Sequence, residues 1–542
     1  MPPAHRRLAL VAGLLAAGAA PARADLLDRV LRQAAGGAGA GAAPPVSPTS
    51  PASTVSPAGA GGLAGPLEAT DLATLIGVAV RTSPALARAA IDRDLARAQA
   101  AAARALDDWR LQANLDVSSS GGRVAGITIE RQTEVTLGGT LLRALPTGGT
   151  VSLHAEGTLS DVDAATVGGR DWEERLGLTL AHPLLRGRGR AVARADVGRA
   201  RLAADAAELA ARREAIGAVQ QVVAAYWDLV FAQREHEIRL GSLELARERL
   251  RRTQAALAAG SVALAETVEI EQVVVTREEA ALAAELTVLD RSLALRGVVG
   301  LAIAAGQLGL TVVQPLDLPA RQYDLAASLA AARSSSPELA ELAVSDAQAA
   351  IDVEVAESGL LPALDATLSL GPRGRGETLG EASRNLVTVD DVVVVGRLSL
   401  EHDLGQRAAR AGRDTAQLRR ARTRLGAIDV ERQLALAVAS TSTALEAGRQ
   451  RAALAEQTIA LARRNIGIEQ TRYALGKSTN FDVLTRQDEL REAELRLARI
   501  VVDWHKAEAA LRALTGDLLR DFAIDVRAAT TAPALKPPAA GR

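Results

Sequence analysis

AVARADVGRARLAADAAELAARREAIGAVQQVVAAYWDLVFAQREHEIRLGSLELARERLRRTQAALAA, residues 191–259, contains no proline. It is rich in Ala, Arg, Glu and Leu, all good helix formers. At 1.5 Å rise per residue it reads as one helix of about 100 Å, a length no globular core can use. Leu243, Leu250 and Leu257 recur every seven residues, the spacing of a coiled-coil seam. Gly260 then ends the run, and a returning helix is expected from about Val262 to Gly300. The plan recurs from about Gln406 to Leu475 and from about Phe481 to Leu514, with Leu454 and Leu461 at the same heptad spacing.

The two halves match elsewhere too. Ser83-Pro84-Ala85-Leu86 recurs as Ser336-Pro337-Glu338-Leu339. The stretch from Leu178 to Leu184, LTLAHPL, recurs as LSLEHDL, Leu398 to Leu404. Gly260, with Glu266 six residues on, recurs as Gly476 with Asp482. Three matches in one order point to a duplicated unit, residues 67–320 and 321–527. The spacing between matched positions shrinks along the chain, from Pro84 and Pro337 to His182 and His402. The first half therefore holds more residues between its opening helix and its Leu-x-Leu strand. Each Ser-Pro pair opens a helix, because proline fits the first helical turn. These helices run to about Trp109 and Gly359. Alternating apolar and polar residues then mark strand candidates at 111–117, 127–137, 150–159 and 176–180, and at 363–370 and 392–400. Turns are expected at Ser120-Gly121-Gly122, Gly148-Gly149 and Gly371-Pro372-Arg373-Gly374.

Composition narrows the function. The chain has 542 residues, with 63 Lys+Arg against 64 Asp+Glu, and this neutral balance argues against nucleic-acid binding. It has no cysteine, which removes disulfides, thiolate metal sites, cysteine nucleophiles and acylation of an N-terminal cysteine. Aromatics make up only 2%, while apolar residues reach 48%, a balance suited to long helices with narrow seams. His5-Arg6-Arg7, the apolar run Leu8 to Ala20, and Ala22-Arg23-Ala24 form a signal peptide over residues 1–24, with cleavage expected before Asp25. The run is too short to span a bilayer as a helix. Residues 25–66 are a flexible Gly/Ala/Pro/Ser linker, and 528–542 a similar disordered tail.

No catalytic constellation is present, so the reading is not an enzyme, with no cofactor and no metal site. His182, followed by Pro183, and His402 occupy equivalent repeat positions where a strand gives way to a helix. They read as polar corner residues. His236 and His505 are expected on solvent-facing helix surfaces. Gly187-Arg188-Gly189 does not sit between a strand and a helix as a phosphate loop would. Gly260 and Gly476 suit left-handed helix termination. Glu266 and Asp482 follow near the starts of the returning helices, where the macrodipole favours acids. Helix-start stabilisation and a functional role both fit these two carboxylates.

The layout resembles the TolC-like outer-membrane efflux and secretion channels over about residues 68–525. Leu180-Ala181-His182-Pro183-Leu184-Leu185-Arg186-Gly187 is similar to the family's Q-P-L-L-R-G strand exit, with His for Gln. Ala225-Tyr226-Trp227-Asp228-Leu229 resembles its A-Y-W-D-L segment. Tyr473-Ala474-Leu475-Gly476 with Asp482-Val483-Leu484 resembles the periplasmic tip of the second helical hairpin, and Gly260 with Glu266 the tip of the first. The resemblance implies a mainly α fold of long antiparallel helical hairpins. It also implies two β-hairpins, four strands per chain, in a trimeric 12-stranded transmembrane barrel. Open sheet edges are not tolerated in lipid, and single-chain barrels begin at about eight strands, so partner copies are required. The implied function is a passive outer-membrane duct of a tripartite efflux pump or type I secretion system. Its partners are two further copies, a periplasmic adaptor, an inner-membrane pump and outer-membrane lipid. Asp482 and Glu266 would face the entrance, although Thr485 replaces the family's usual second acid. A ring of three Asp482 carboxylates would attract cations and carry raised pKa values. Trp109 and Trp172 are the only Trp or Tyr near the strands. A soluble periplasmic coiled-coil adaptor is the alternative reading.

Overall fold

A computed structural model of the chain describes residues 68–124, 127–164, 169–301, 309–312 and 315–524. The signal peptide, the linker and the tail lie outside them.

The first half opens with β1 (Glu68–Thr70), α1 (Leu72–Thr82) and α2 (Pro84–Ala103). Four long strands follow: β2 (Arg110–Val124), β3 (Ile127–Ala144), β4 (Thr150–Ala164) and β5 (Gly169–Pro183). The chain then enters α3 (Ala195–Ala258) and returns as α4 (Leu264–Val299), before β6 (Leu310–Val312) pairs parallel with β1. The second half repeats the order with α5 (Leu325–Ser335), α6 (Pro337–Ser358), β7 (Ala363–Gly376), a short α7 (Leu379–Thr388), β8 (Asp391–Glu401), α8 (Arg407–Ala474) and α9 (Asn480–Leu514). Ser83 and Ser336 cap α2 and α6 through their side-chain oxygens, with proline next in line, as the Ser-Pro pairs predict.

The main sheet has six strands in the order β2-β3-β4-β5-β7-β8, every neighbour antiparallel. This corrects the count of four strands. The mainly α fold and the long helical hairpins are as expected, but the first half contributes two hairpins rather than one. The extra residues that the repeat spacing assigns to the first half, between its Ser-Pro pair and its Leu-x-Leu strand, are those of an additional hairpin. Two expected turns are also corrected: Gly121 and Gly122 lie inside β2, and Gly371 to Gly374 inside β7. Gly148-Gly149 does lie in a turn, between β3 and β4.

Register sorts the sheet into two faces. One carries Leu111, Leu115 and Val117 on β2, Val135, Leu137 and Leu141 on β3, Val151, Leu153 and Leu159 on β4, and matching Leu and Val on β5, β7 and β8. The other carries Gln112, Asn114, Thr140, His154, Glu156, Thr179, Ser369 and Arg397. An apolar outer band with a polar interior is the pattern of a transmembrane barrel wall. Trp109 stands just before β2 at one end of the band. Trp172 stands at the other, in register with Leu159, Val135 and Val117. Eight residues separate the two levels, about 26 Å along a strand.

Four helical columns lie side by side. α2 and α4 share one flank of α3, α6 and α9 share its other flank, and α8 packs against α6 and α9. Leu243 and Leu250 of α3 meet Ile270, Val274 and Ala281 of α4, so the expected seam is real there. Leu454 and Leu461 are not in a seam of the chain: Ala452, Ala455, Ile459 and Ala462 take that role, and both leucines are exposed. The A-Y-W-D-L stretch is the centre of the largest core. Tyr226 and Leu229 are fully buried, Trp227 nearly so, and Asp228 pairs with Lys506 at 2.6 Å. α3 also holds the one helical stretch among the described residues long and apolar enough to cross a membrane, but most of it is buried in the protein.

The two sheet faces make a directional prediction. Leu176→Arg, on the apolar face midway between the Trp109 and Trp172 levels, should cost about 2–4 kcal/mol of stability in a bilayer. Thr140→Arg on the polar face should be tolerated. Denaturant titration of protein refolded into liposomes measures both.

Candidate channel entrance and strand–helix junction

Two helical turns close the long hairpins with the same geometry. Gly260 (φ 73°) and Gly476 (φ 68°) adopt the left-handed conformation expected of them. Ser261 N–H donates to Ala256 O at 2.9 Å, and Lys477 N–H to Arg472 O at 2.9 Å. These are matching Schellman closures that satisfy the last carbonyls of α3 and α8.

The returning helices start differently. Thr479 caps α9 in a reciprocal box with Asp482: the Asp482 amide donates to Thr479 Oγ1 at 3.2 Å, and Thr479 N–H donates to Asp482 Oδ2 at 2.9 Å. The Thr479 hydroxyl also donates to Oδ2 at 2.7 Å, and the Ser478 hydroxyl, whose one proton is shared with Glu469, lies 3.2 Å from it. Oδ1 makes no hydrogen bond among the described residues, and the side chain is exposed. The Thr479 hydrogen bonds hold the Asp482 carboxyl below its ordinary value. Within one chain the shift is thus opposite to the rise expected from a ring of acids. In α4 the capping position is Ala263, which has no side chain to cap with, and Glu266 sits half-buried in the first turn. Asp482 is therefore the helix-start acid held by a capping box, and Glu266 is the one without it.

Above the tips, arginines tie the two hairpins together. Arg277 of α4 donates to Ser242 O on α3 and to Asp488 Oδ1 on α9, both at 3.0 Å. Burial pulls the Arg277 pKa below the usual arginine value, with Asp488 opposing. The Arg249 guanidinium of α3 lies over the Tyr473 ring of α8, 5.3 Å from its centroid, a cation–π contact. Glu469, buried in the last turns of α8, accepts from Arg472 at 3.4 Å and from the Ser478 hydroxyl. Sequence reasoning missed these ties. One signal was available: Arg277 interrupts the seam Ile270, Val274, Ala281, a position where an unpaired charge would not be tolerated.

At the other end of the helices, His182 Nε2 meets Thr147 Oγ1 at 2.9 Å and Nδ1 meets Pro183 O at 2.7 Å. It ties the end of β5 to the β3–β4 turn. A side chain on Gly148 (φ 101°) would come within 2.5 Å of Gly187 O, so that turn packs directly against the start of the helical layer. His402 lies beside Gln406, and β7 separates its strand from that of His182, so the pair does not converge. No cluster of metal-binding side chains occurs among the described residues. His505 is not solvent-facing as expected. It stacks on Trp227 with centroids 3.9 Å apart, and its Nε2 donates to Asp317 O at 3.0 Å.

Residues 329–517 match the family model described as outer membrane efflux protein. The fold of the whole described chain is also that of solved outer-membrane channels. It superposes on the outer membrane protein VceC of Vibrio cholerae with TM-score 0.60 and 18% identity, covering 82% of this chain and 96% of that one. The CmeC channel of Campylobacter jejuni gives 0.60 and 14%, covering 86% and 90%. The open-state MtrE channel of Neisseria gonorrhoeae gives 0.57 and 17%, covering 82% and 89%. No curated protein sequence matches the chain.

The tip of the second helical hairpin makes a pH prediction. Because the folded Asp482 carboxyl is depressed, its stabilisation is present above the ordinary value of 3.8 and is lost as pH falls through the lower folded value. Asp482→Asn should therefore lower the thermal midpoint at pH 7, and the gap should close below about pH 3.8. Thr479→Ala, which removes the box from its other side, should cost about 1 kcal/mol at neutral pH.

Proposed function

We propose that three copies of this chain close into a passive outer-membrane export duct, with a barrel in the membrane and a helical tunnel in the periplasm. A periplasmic adaptor and an inner-membrane pump would supply the drive and the cargo. One observation carries this reading: the sheet and the helical layer each have two unpartnered edges, and the edges coincide. β2, which follows α2, ends the sheet on the side of α2 and α4. β8, which leads into α8, ends it on the other.

The helical edges are matched to one another. α4 exposes Val268, Val275 and Leu282, and α8 exposes Ile468, Leu461 and Leu454. In each set the residues lie eight, fifteen and twenty-two positions from the tip glycines Gly260 and Gly476. The two helices run in opposite directions, so each apolar residue on one edge meets one at the same height on the next copy's edge. Such a head-to-tail interface builds a closed ring. A soluble adaptor would leave both stripes and the sheet's apolar band in water.

At the entrance, Asp482 would present Oδ1 to the pore while Oδ2 holds the helix start. Asp482→Asn, which keeps the shape and removes the charge, should lower cation selectivity and weaken block by multivalent cations in single-channel recordings. Unchanged selectivity would reduce Asp482 to a cap. Glu266→Gln tests the first hairpin in the same way.

The absence of cysteine makes the ring directly testable. Val275→Cys with Leu461→Cys should give a disulfide-linked ladder ending at three chains under oxidation, and neither single variant should. A ladder that stops at two chains, or no ladder, would overturn the trimer. In topology, an epitope placed after Glu377, between β7 and α7, should be reached on intact cells, and one after Gly476 should not.

A further inference from the structure

The six-stranded sheet changes what the ring must look like. The hairpin β3–β4 has no counterpart in the second half, where β7 and β8 alone bridge the helices. It is not a rim loop. β3 pairs with β2 from Arg110↔Leu142 to Val124↔Ile127, and β4 pairs with β5 from Thr150↔Ala181 to Val162↔Gly169. Val135, Leu137, Leu141, Val151, Leu153 and Leu159 place its apolar residues on the same face, and at the same levels, as those of the other four strands. Its turn is built into the strand–helix junction, through Gly148 against Gly187 and Thr147 against His182. It is therefore a full segment of membrane wall.

The two outermost strands are left unfinished. β8 is exposed along its whole length, and the side chains of β2 are exposed from Arg110 to Gly122, whereas the four strands between them are partly covered. β2 and β8 run in opposite directions within the sheet, so β8 of one copy can continue into β2 of the next as an ordinary antiparallel pair.

Widths then select the closure. Six strands about 4.8 Å apart and tilted about 40° span an arc of about 38 Å. Four helical columns about 9–10 Å apart span about 36–40 Å. Four strands would span only about 25 Å and would force the wall to taper above the helices. In this chain the two layers subtend the same arc.

We propose that the transmembrane barrel has eighteen strands, with β8 of each copy hydrogen-bonded to β2 of the next, and that its bore equals that of the tunnel beneath it. This rests on the trimeric reading. Three arcs of about 38 Å close at a backbone diameter of about 36 Å, against about 24 Å for twelve strands at the same tilt. An eighteen-stranded wall lies in the range of water-filled porins. The membrane segment would then not be a constriction, and selection of cargo by size falls to the helical tips.

Single-particle imaging of the full chain in lipid nanodiscs tests this. The expected result is a three-fold particle with eighteen strands and a barrel about 1.5 times the twelve-strand diameter. A second measurement uses the cysteine-free background: Ser118→Cys on β2, combined in turn with cysteine at each position from 392 to 400 of β8, should cross-link neighbouring copies at positions of one parity. A three-fold particle with twelve strands and one hairpin outside the wall would overturn the eighteen-stranded barrel and leave the trimer standing. A two-fold particle closed by twelve strands would overturn both, and the α4–α8 cross-link ladder would then stop at two chains.

Discussion

A strand in hydrocarbon has no water to turn to. Every backbone N–H and C=O left unpaired there costs several kcal/mol, so a sheet that enters lipid must end by meeting another strand. In the proposed duct the architecture follows from that requirement. The sheet of this chain is too narrow to meet itself, since single-chain barrels begin at about eight strands, and its two edges stay open at β2 and β8. Partner copies are thus a condition of membrane entry. The helical layer obeys the same geometry without the same necessity. Its edges, on α4 and α8, are exposed apolar stripes, which water penalises far less severely than lipid penalises a bare backbone.

The helical part of the fold was legible because its signal is redundant. The proline-free run from Ala191 to Ala259, the heptad leucines and the glycine at each tip all point the same way. Individual seam residues were less secure. Leu454 and Leu461 have the spacing of a seam but lie on the free edge of α8, because periodicity reveals a stripe and not its partner. The sheet shows the reverse case. Four alternating stretches stand in the first half, and each became a strand. The family resemblance reduced them to two. The residues carried the better count, and so did the repeat spacing.

The candidate site was legible only in part. Glycines with positive φ at the tips follow from local backbone chemistry, and both were found. The ion-pair ties were not, because Arg277 and Asp488 lie in different halves of the chain and meet only through packing. His505 was misplaced for a similar reason. Its stacking partner, Trp227, also comes from the other half. Long-range polar contacts of this kind leave no periodicity to read.

The two hairpin tips share one closing turn but not one opening turn. α9 begins with a reciprocal box of side chain and backbone, while α4 begins at an alanine. Amide protons in the first turn of α4 should therefore exchange with solvent sooner than those of α9. In a closed ring of three chains, six tips would alternate between firm and frayed around the axis. A mouth lined in this way would begin to part at three points rather than six, passing through a triangular aperture on its way to a round one.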